Sequence, residues 1–255
     1  MPELRSPARG LRGGAWASPA RGVAVRYAVP VVISLGLALG AILRLLPFSW
    51  LETFGFISGA WGVWLQVREN VWNWPVQLVS SALYVVVFFQ ARLFADTSLN
   101  ILYILLYLLG WYWWLRGGEN HSTLHIRRLP WRLGGLLTLA GALGTAILTV
   151  FLDSVHDSAP FLDALTTVMS LVALFLTGRK LLESWWVWIA VNLIYIGLYL
   201  YKDLVLTSIL YAIFAALSVV GLVNWRRLYA NQQDAGETQV PPADPPPSRE
   251  SRWDV

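Results

Sequence analysis

Hydrophobic positions come in long, nearly unbroken runs, separated by short polar stretches. The runs fall at about 27–48, 51–67, 72–90, 97–115, 133–151, 161–178, 184–201 and 204–223. Each approaches or reaches the roughly 20 residues that a helix needs to cross hydrocarbon. None shows the strict two-residue alternation of a membrane β-strand, so helices are the expected spanning elements. The pattern predicts an all-α polytopic membrane protein of eight spans, packed as a tight up-and-down bundle because many of the loops are very short. The basic stretch 1–26 before the first run has the look of a signal-peptide n-region. The run at 27–48 is long enough to span and no small-x-small cleavage site follows it, so a retained helix is expected, with a cleaved signal as the alternative.

One run breaks the aliphatic pattern. Glu183 to Tyr211 is apolar enough for a bilayer, yet carries Trp185, Trp186, Trp188, Asn192, Tyr195, Tyr199, Tyr201 and Tyr211. Trp185, Trp188, Asn192, Tyr195 and Tyr199 follow i, i+3, i+7, i+10, i+14 and share one helical face. That face is an aromatic wall containing one amide, suited to a flat, polar, cationic small molecule. The same residues would also serve as helix packing, with Asn192 as interhelical glue.

Composition narrows the class. The chain is 56% hydrophobic and 13% charged, against about 25% charged in a soluble domain. Mean hydropathy is +0.54. With no cysteine, disulfides, thiolate metal sites and cysteine nucleophiles are excluded. His121, His125 and His156 fall in loops, and the His121/His125 pair lacks a third ligand, so no metal or other cofactor is expected. There is no G-x4-G-K-[ST] loop and no G-x-S-x-G element. An intramembrane enzyme would need buried acids, a metal or a catalytic histidine. A purely structural or sensory protein would not need an aromatic face bearing amides. No acid lies deep in a span, which argues against proton or sodium coupling.

Basic residues set the orientation. One set of segments holds Arg5, Arg9, Arg12, Arg21 and Arg26, then Arg68, then Arg116, Arg127, Arg128 and Arg132, then Arg179 and Lys180, then Arg226 and Arg227. The opposite loops hold Arg44, Arg92 and Lys202, and the loop near 152–160 holds Asp153 and Asp157 with no Arg or Lys. Both termini are therefore expected in the cytoplasm. The net charge of +4 reflects these segments, and no nucleic-acid partner is expected.

Two halves echo each other. Gly110-x3-Trp114 and Gly221-x3-Trp225 each close a span, and Leu93/Leu204 and Tyr103/Phe214 keep the same offset of 111. Glu69-x2-Trp72-x-Trp74 parallels Glu183-x2-Trp186-x-Trp188 at 114, which implies an indel between the second and third helix of each half. Three helices, one linking helix and three helices make the repeats parallel, with a site near the midplane between them. The expected organisation is a basic tail (1–26), an extra transmembrane helix (27–48), a first three-helix repeat (49–116), a cytoplasmic loop and linking helix (117–152), a second repeat (153–227) and a disordered cytoplasmic tail (228–255).

The segments W-G-V-W-L-Q-V-R-E-N-V-W-N-W-P-V-Q-L (61–78), L-F-A-D-T-S-L-N-I-L-Y (93–103), G-W-Y-W-W (110–114), F-L-D-A-L-T-T-V-M-S (161–170), E-S-W-W-V-W-I-A-V-N (183–192) and L-Y-L-Y-K-D-L-V-L-T-S-I-L-Y (198–211) resemble, as an ordered set, the PnuC family of bacterial vitamin transporters. The resemblance covers about 50–227. It implies a 3+1+3 fold like a full-length SWEET transporter, here with one extra N-terminal helix, commonly a homotrimer in the bacterial inner membrane. It implies facilitated diffusion of nicotinamide riboside into NAD biosynthesis, with trapping by a cytoplasmic kinase that need not touch the transporter. Relatives that move thiamine or another aromatic vitamin are the alternative. It places substrate contacts at Trp185, Trp188 and Asn192. Gln77, Ser80 and Asn100 stand where the family often has Gly, Asn and Gln. With Tyr199 and Trp74 these make the candidate substrate-binding set. Nicotinamide riboside offers a pyridinium ring to stack on tryptophan, worth about 2 kcal/mol when desolvated. Its amide and hydroxyls can pair with side-chain amides.

Overall fold

The structure is a computed structural model that describes residues 31–238 apart from 33, 44, 46–48, 91, 93, 119–121, 157–158 and 202–204. The basic N-terminal tail, both ends of the 27–48 run, Arg44, His121, Asp157 and Lys202 lie outside the described residues. Described residues form eight helices. The first covers 31–32 and 34–42 (α1). Then follow α2 (Trp50–Val67), α3 (Asn73–Gln90), α4 (Phe94–Arg116), α5 (Trp131–Ser154), α6 (Pro160–Gly178), α7 (Ser184–Tyr201) and α8 (Val205–Thr238). No strand occurs among them; one isolated bridge joins Arg127 to Leu181. The chain divides into two compact units at Thr53/Phe54. In the first, α2 starts on a capping box: Ser49 N–H donates to Glu52 Oε2 (2.7 Å) and Glu52 N–H to Ser49 Oγ (3.2 Å).

Among the described residues, five helical segments are long and apolar enough to cross a membrane: Thr97–Arg116, Trp131–Ser154, Pro160–Gly178, Ser184–Tyr201 and Ser208–Asp234. The chain is an all-helical, multi-pass membrane protein. α3 is more polar, because Asn73, Gln77, Ser80 and Ser81 are turned into the bundle. α8 overruns its expected end. The stretch after Trp225 is rich in Arg, Ala and Gln, which favour helix, and Gln233 Nε2 donates to Tyr229 Oη at 2.9 Å. Helix thus replaces the expected disorder from 228 to 238, and the Pro-rich remainder lies outside the described residues.

The second unit repeats its contacts at an offset of 111. α3 and α7 begin and end 111 residues apart. Trp74 seats its ring on Gly110, where an added Cβ would fall within 3.0 Å of the indole; Trp185 does the same on Gly221. Trp74 meets Trp114 edge-on at 5.4 Å and 85°, and Trp185 meets Trp225 at 5.4 Å and 84°. The indole N–H of Trp114 then donates across to Thr177 O (3.0 Å), and that of Trp225 to Gln66 O (3.2 Å). Gln66 and Thr177 are themselves 111 apart. Glu69 and Lys180 are equivalent too. Both have positive φ, 56° and 51°, and their side chains form an ion pair of 2.7 Å.

This corrects the expected indel. The 114 alignment matched Trp72 with Trp186, which are 64% and 53% exposed, and so matched surface residues. Packing instead equates Trp74 with Trp185, 0% and 1% exposed, so Trp188 corresponds to Gln77. Glu183 has a separate role: it accepts from Arg128 Nε (3.0 Å) and Leu129 N–H (2.7 Å). That tethers the segment before α5, whose Leu124 and Ile126 are core residues.

Candidate functional site

A cavity of about 390 Å³ is bordered by α2, α3, α4, α6, α7 and α8. Glycines on one face of α2 let α3 approach closely: an added Cβ at Gly59 would meet Ser80 Oγ at 3.0 Å, and one at Gly62 would meet Gln77 at 2.6 Å. Equivalent positions from the two halves face the space, including Gln77 with Trp188, Tyr84 with Tyr195, and Tyr107 with Ser218. Tyr84 and Tyr195 keep the same chemistry, whereas Gln77 against Trp188 and Tyr107 against Ser218 differ, so each half contributes both aromatic and amide groups to the wall.

Trp188 is half-buried, and its indole N–H donates to Thr177 Oγ1 at 3.2 Å, which fixes the ring plane. One turn on, Asn192 Nδ2 donates to Ser218 Oγ at 3.3 Å. Ser218 Oγ in turn donates to Phe214 O at 2.8 Å, so the pair is oriented by α8. Gln77 borders the cavity with no hydrogen bond among the described residues, and its amide is available to a ligand. Tyr103, Tyr107 and Ser170 add hydroxyl groups to the lining. At one end Tyr195, Tyr199 and Tyr211 stack, with centroids 4.5 to 5.7 Å apart. At the other end lies the layer of Trp114, Trp225 and the Glu69–Lys180 pair. Among the described residues, none that borders the cavity is Asp, Glu, Lys or Arg.

Of the residues expected at the site, Gln77, Trp185, Trp188 and Asn192 border the cavity. Trp185 is its floor rather than an open wall, because its ring is seated on Gly221. The others are close by but do not border it. Trp74 is fully buried against Gly110 as the structural twin of Trp185. Ser80 Oγ donates to Gly55 O at 2.8 Å and ties α3 to α2. Tyr199 lies behind Tyr211, stacked at 5.2 Å. Asn100 is the equivalent of Tyr211 and stays outside the lining. Trp64 carries the Arg68 guanidinium over its ring at 4.5 Å and does not line the cavity either. Tyr103 and Tyr107 border the cavity but were absent from the expected set. Their spacing with Gly110 and Trp114 (i, i+4, i+7, i+11) puts all four on one face of α4, and this was the available signal.

The profile of the nicotinamide mononucleotide transporter family matches residues 49–227. The chain belongs to that family. It is a membrane transporter and not an enzyme. The nicotinamide riboside transporter PnuC of Escherichia coli is 27% identical over 205 residues, covering 69% of this chain and 85% of the relative. The riboflavin/roseoflavin transporter RibM of Streptomyces davaonensis is 26% identical over 180 residues, covering 69% and 84%. A crystal structure of the vitamin B3 transporter PnuC superposes with a TM-score of 0.60 at 27% identity, covering 80% of this chain and 92% of that one. The match to the family begins at residue 49, so α1 precedes the family region.

Proposed function

We propose that this family member is a uniporter for nicotinamide riboside in the bacterial inner membrane, feeding NAD synthesis after phosphorylation by a cytoplasmic kinase. The observation that carries the reading is a cavity bearing aromatic, amide and hydroxyl groups, with no charged residue on its wall among the described residues. A pyridinium cation is attracted to a tryptophan face without a carboxylate partner. A phosphate ester has no lysine or arginine to meet it there, and burying an unpaired anion costs several kcal/mol. The cavity therefore favours the riboside over its 5′-phosphate. In this reading the ring stacks on Trp188 above Trp185, Asn192 and Gln77 bind the amide and hydroxyls, and Tyr199, Ser80, Asn100 and Trp74 support the shell. Thiamine, also an aromatic cation, is the second reading, because Gln77 departs from the family pattern and lies on the cavity wall.

The helices are read as a 3+1+3 duplication in the manner of full-length SWEET transporters, with α5 as the link, both termini cytoplasmic and a homotrimer as the assembly. The recurrence of contacts at 111 supports the duplication, and the basic residues support the orientation. Transport is tested in proteoliposomes. Labelled nicotinamide riboside should equilibrate and not accumulate, with no response to proton or sodium gradients. Accumulation under either gradient would refute uniport. Binding should also stay constant across the pH range in which histidine titrates, since no histidine among the described residues borders the cavity.

In this reading the Glu69–Lys180 ion pair, which joins equivalent positions of the two halves, seals the end beyond Trp185. Lys180 Nζ also lies 4.5 Å above the Trp114 ring. Passage through that end requires the pair to part, so its loss should loosen the seal. Lys180→Met strands a partly buried carboxylate, at a cost of about 3 kcal/mol. Pairing it with Glu69→Leu should recover most of the stability while leaving transport altered. A double variant no more stable than Lys180→Met would show that the two side chains are not coupled.

A further inference from the structure

A second cavity, about 880 Å³, lies between α5 and α6. On α5 its wall is Gly134, Thr138, Gly141 and Thr145 (i, i+4, i+7, i+11), a single stripe. Opposite stand Val168 and Val172 of α6. The small residues touch α6 at Val168 but leave the groove open beside that contact. An added Cβ on Gly141 would find only Val168, at 4.0 Å. The hydroxyl of Thr138 donates to its own helix at Gly134 O (2.9 Å), and that of Thr149 to Thr145 O (2.7 Å). Those hydroxyls are satisfied within α5, so the groove calls for an apolar occupant. From Gly134 to Thr149 it runs about 22 Å at helical rise. One leaflet of hydrocarbon is about 15 Å, so a lipid chain fits from the interface past the midplane.

The two ends differ in charge. Beside Leu129, which borders the groove, stand Arg127, Arg128, Trp131 and Arg132. Arg128 is committed to Glu183. Arg127 and Arg132 are exposed and pair with no carboxylate among the described residues. The Arg132 guanidinium lies 5.3 Å over the ring of Trp131, which is 81% exposed, as suits a residue at a headgroup layer. The far end carries Asp153 and no Lys or Arg nearby in the chain.

We infer that this crevice binds an anionic phospholipid, with one acyl chain between α5 and α6 and its phosphate held by Arg127 and Arg132. Basic residues at a membrane surface each favour an anionic headgroup. The bound lipid would fasten α5 to α6, the helix on which α5 packs.

The test uses the full chain in neutral detergent. Phosphatidylglycerol and phosphatidylcholine of the same chain length are added, and retention is read by native mass spectrometry and thermal melting. One phosphatidylglycerol per chain should be retained, with a raised melting temperature, and phosphatidylcholine should not match it. Arg127→Gln with Arg132→Gln should weaken retention by about tenfold or more. Gly141→Leu fills the groove, leaves both arginines in place and should also abolish retention. Equal retention of both lipids would overturn the headgroup assignment. Undiminished retention in Gly141→Leu would overturn the chain assignment, and equal stabilisation by soluble glycerol phosphate would overturn a lipid ligand. The chain has no cysteine, so Thr145→Cys gives a clean probe. An intermolecular disulfide at that site in native membranes would make the crevice an interface between copies, and the inference would fail.

Discussion

Gly221→Ala is expected to destabilise the protein by about 3 kcal/mol, the upper part of the range for overpacking a filled core. The added methyl would lie within 3.0 Å of the six-membered ring of Trp185. That ring cannot yield easily: it is 1% exposed and held edge-on against Trp225. Trp225 is in turn anchored by its bond to Gln66 O. Gly110→Ala should cost a similar amount, since Trp74 makes the same contact in the other half. The two should differ in function. Trp185 borders the cavity and Trp74 does not, so only Gly221→Ala should weaken ligand binding in the protein that remains folded. Gly135→Ala is the control: a Cβ there meets nothing within 4 Å, and alanine favours helix by up to about 1 kcal/mol. Melting curves in detergent read all three. A Gly221→Ala protein as stable as the control would contradict the wedge.

Trp188→Ala should weaken nicotinamide riboside binding about thirtyfold, from the loss of roughly 2 kcal/mol of desolvated cation–π attraction. Stability should fall less than in Gly221→Ala, because Trp188 is half-buried and already faces a cavity. Trp188→Phe keeps a π face but loses the bond to Thr177 Oγ1, and should lie between the two. Asn192→Leu removes the amide and strands Ser218 Oγ only in part, since that hydroxyl also bonds Phe214 O. It should cost affinity with little loss of stability. Titration calorimetry on the purified variants gives both affinities. If Trp188→Ala bound as tightly as the parent protein, the aromatic wall would revert to helix packing.

Much of the helical layout was legible, because apolar run length is a direct consequence of bilayer thickness. The predicted 184–201 run is α7 to the residue. α8 was legible only as far as its apolar part, since the polar extension to Thr238 rests on helix propensity. Spacing on α7 put Trp188 and Asn192 on one face, and both border the cavity. The same spacing could not separate Trp185 and Trp74 from wall residues. Their role is set by glycines about 36 positions away, at Gly221 and Gly110, and only the packing brings these together. Local similarity misled the repeat alignment for a related reason. A Glu-x2-Trp-x-Trp string looks alike at 69 and 183, yet one glutamate pairs with Lys180 and the other with Arg128. The departures at Ser80 and Asn100 were readable as residues but not as positions: Ser80 is spent on Gly55 O, and Asn100 lies off the lining.

The most direct test of the central claim is competitive titration of the purified full chain with nicotinamide riboside and its 5′-phosphate. A cavity with aromatic faces and no charged wall residue among the described residues predicts saturable binding of the riboside. The phosphate should bind at least about a hundredfold more weakly, from the cost of burying an unpaired anion. Binding of the phosphate as tight as the riboside, or no binding of either, would contradict the account.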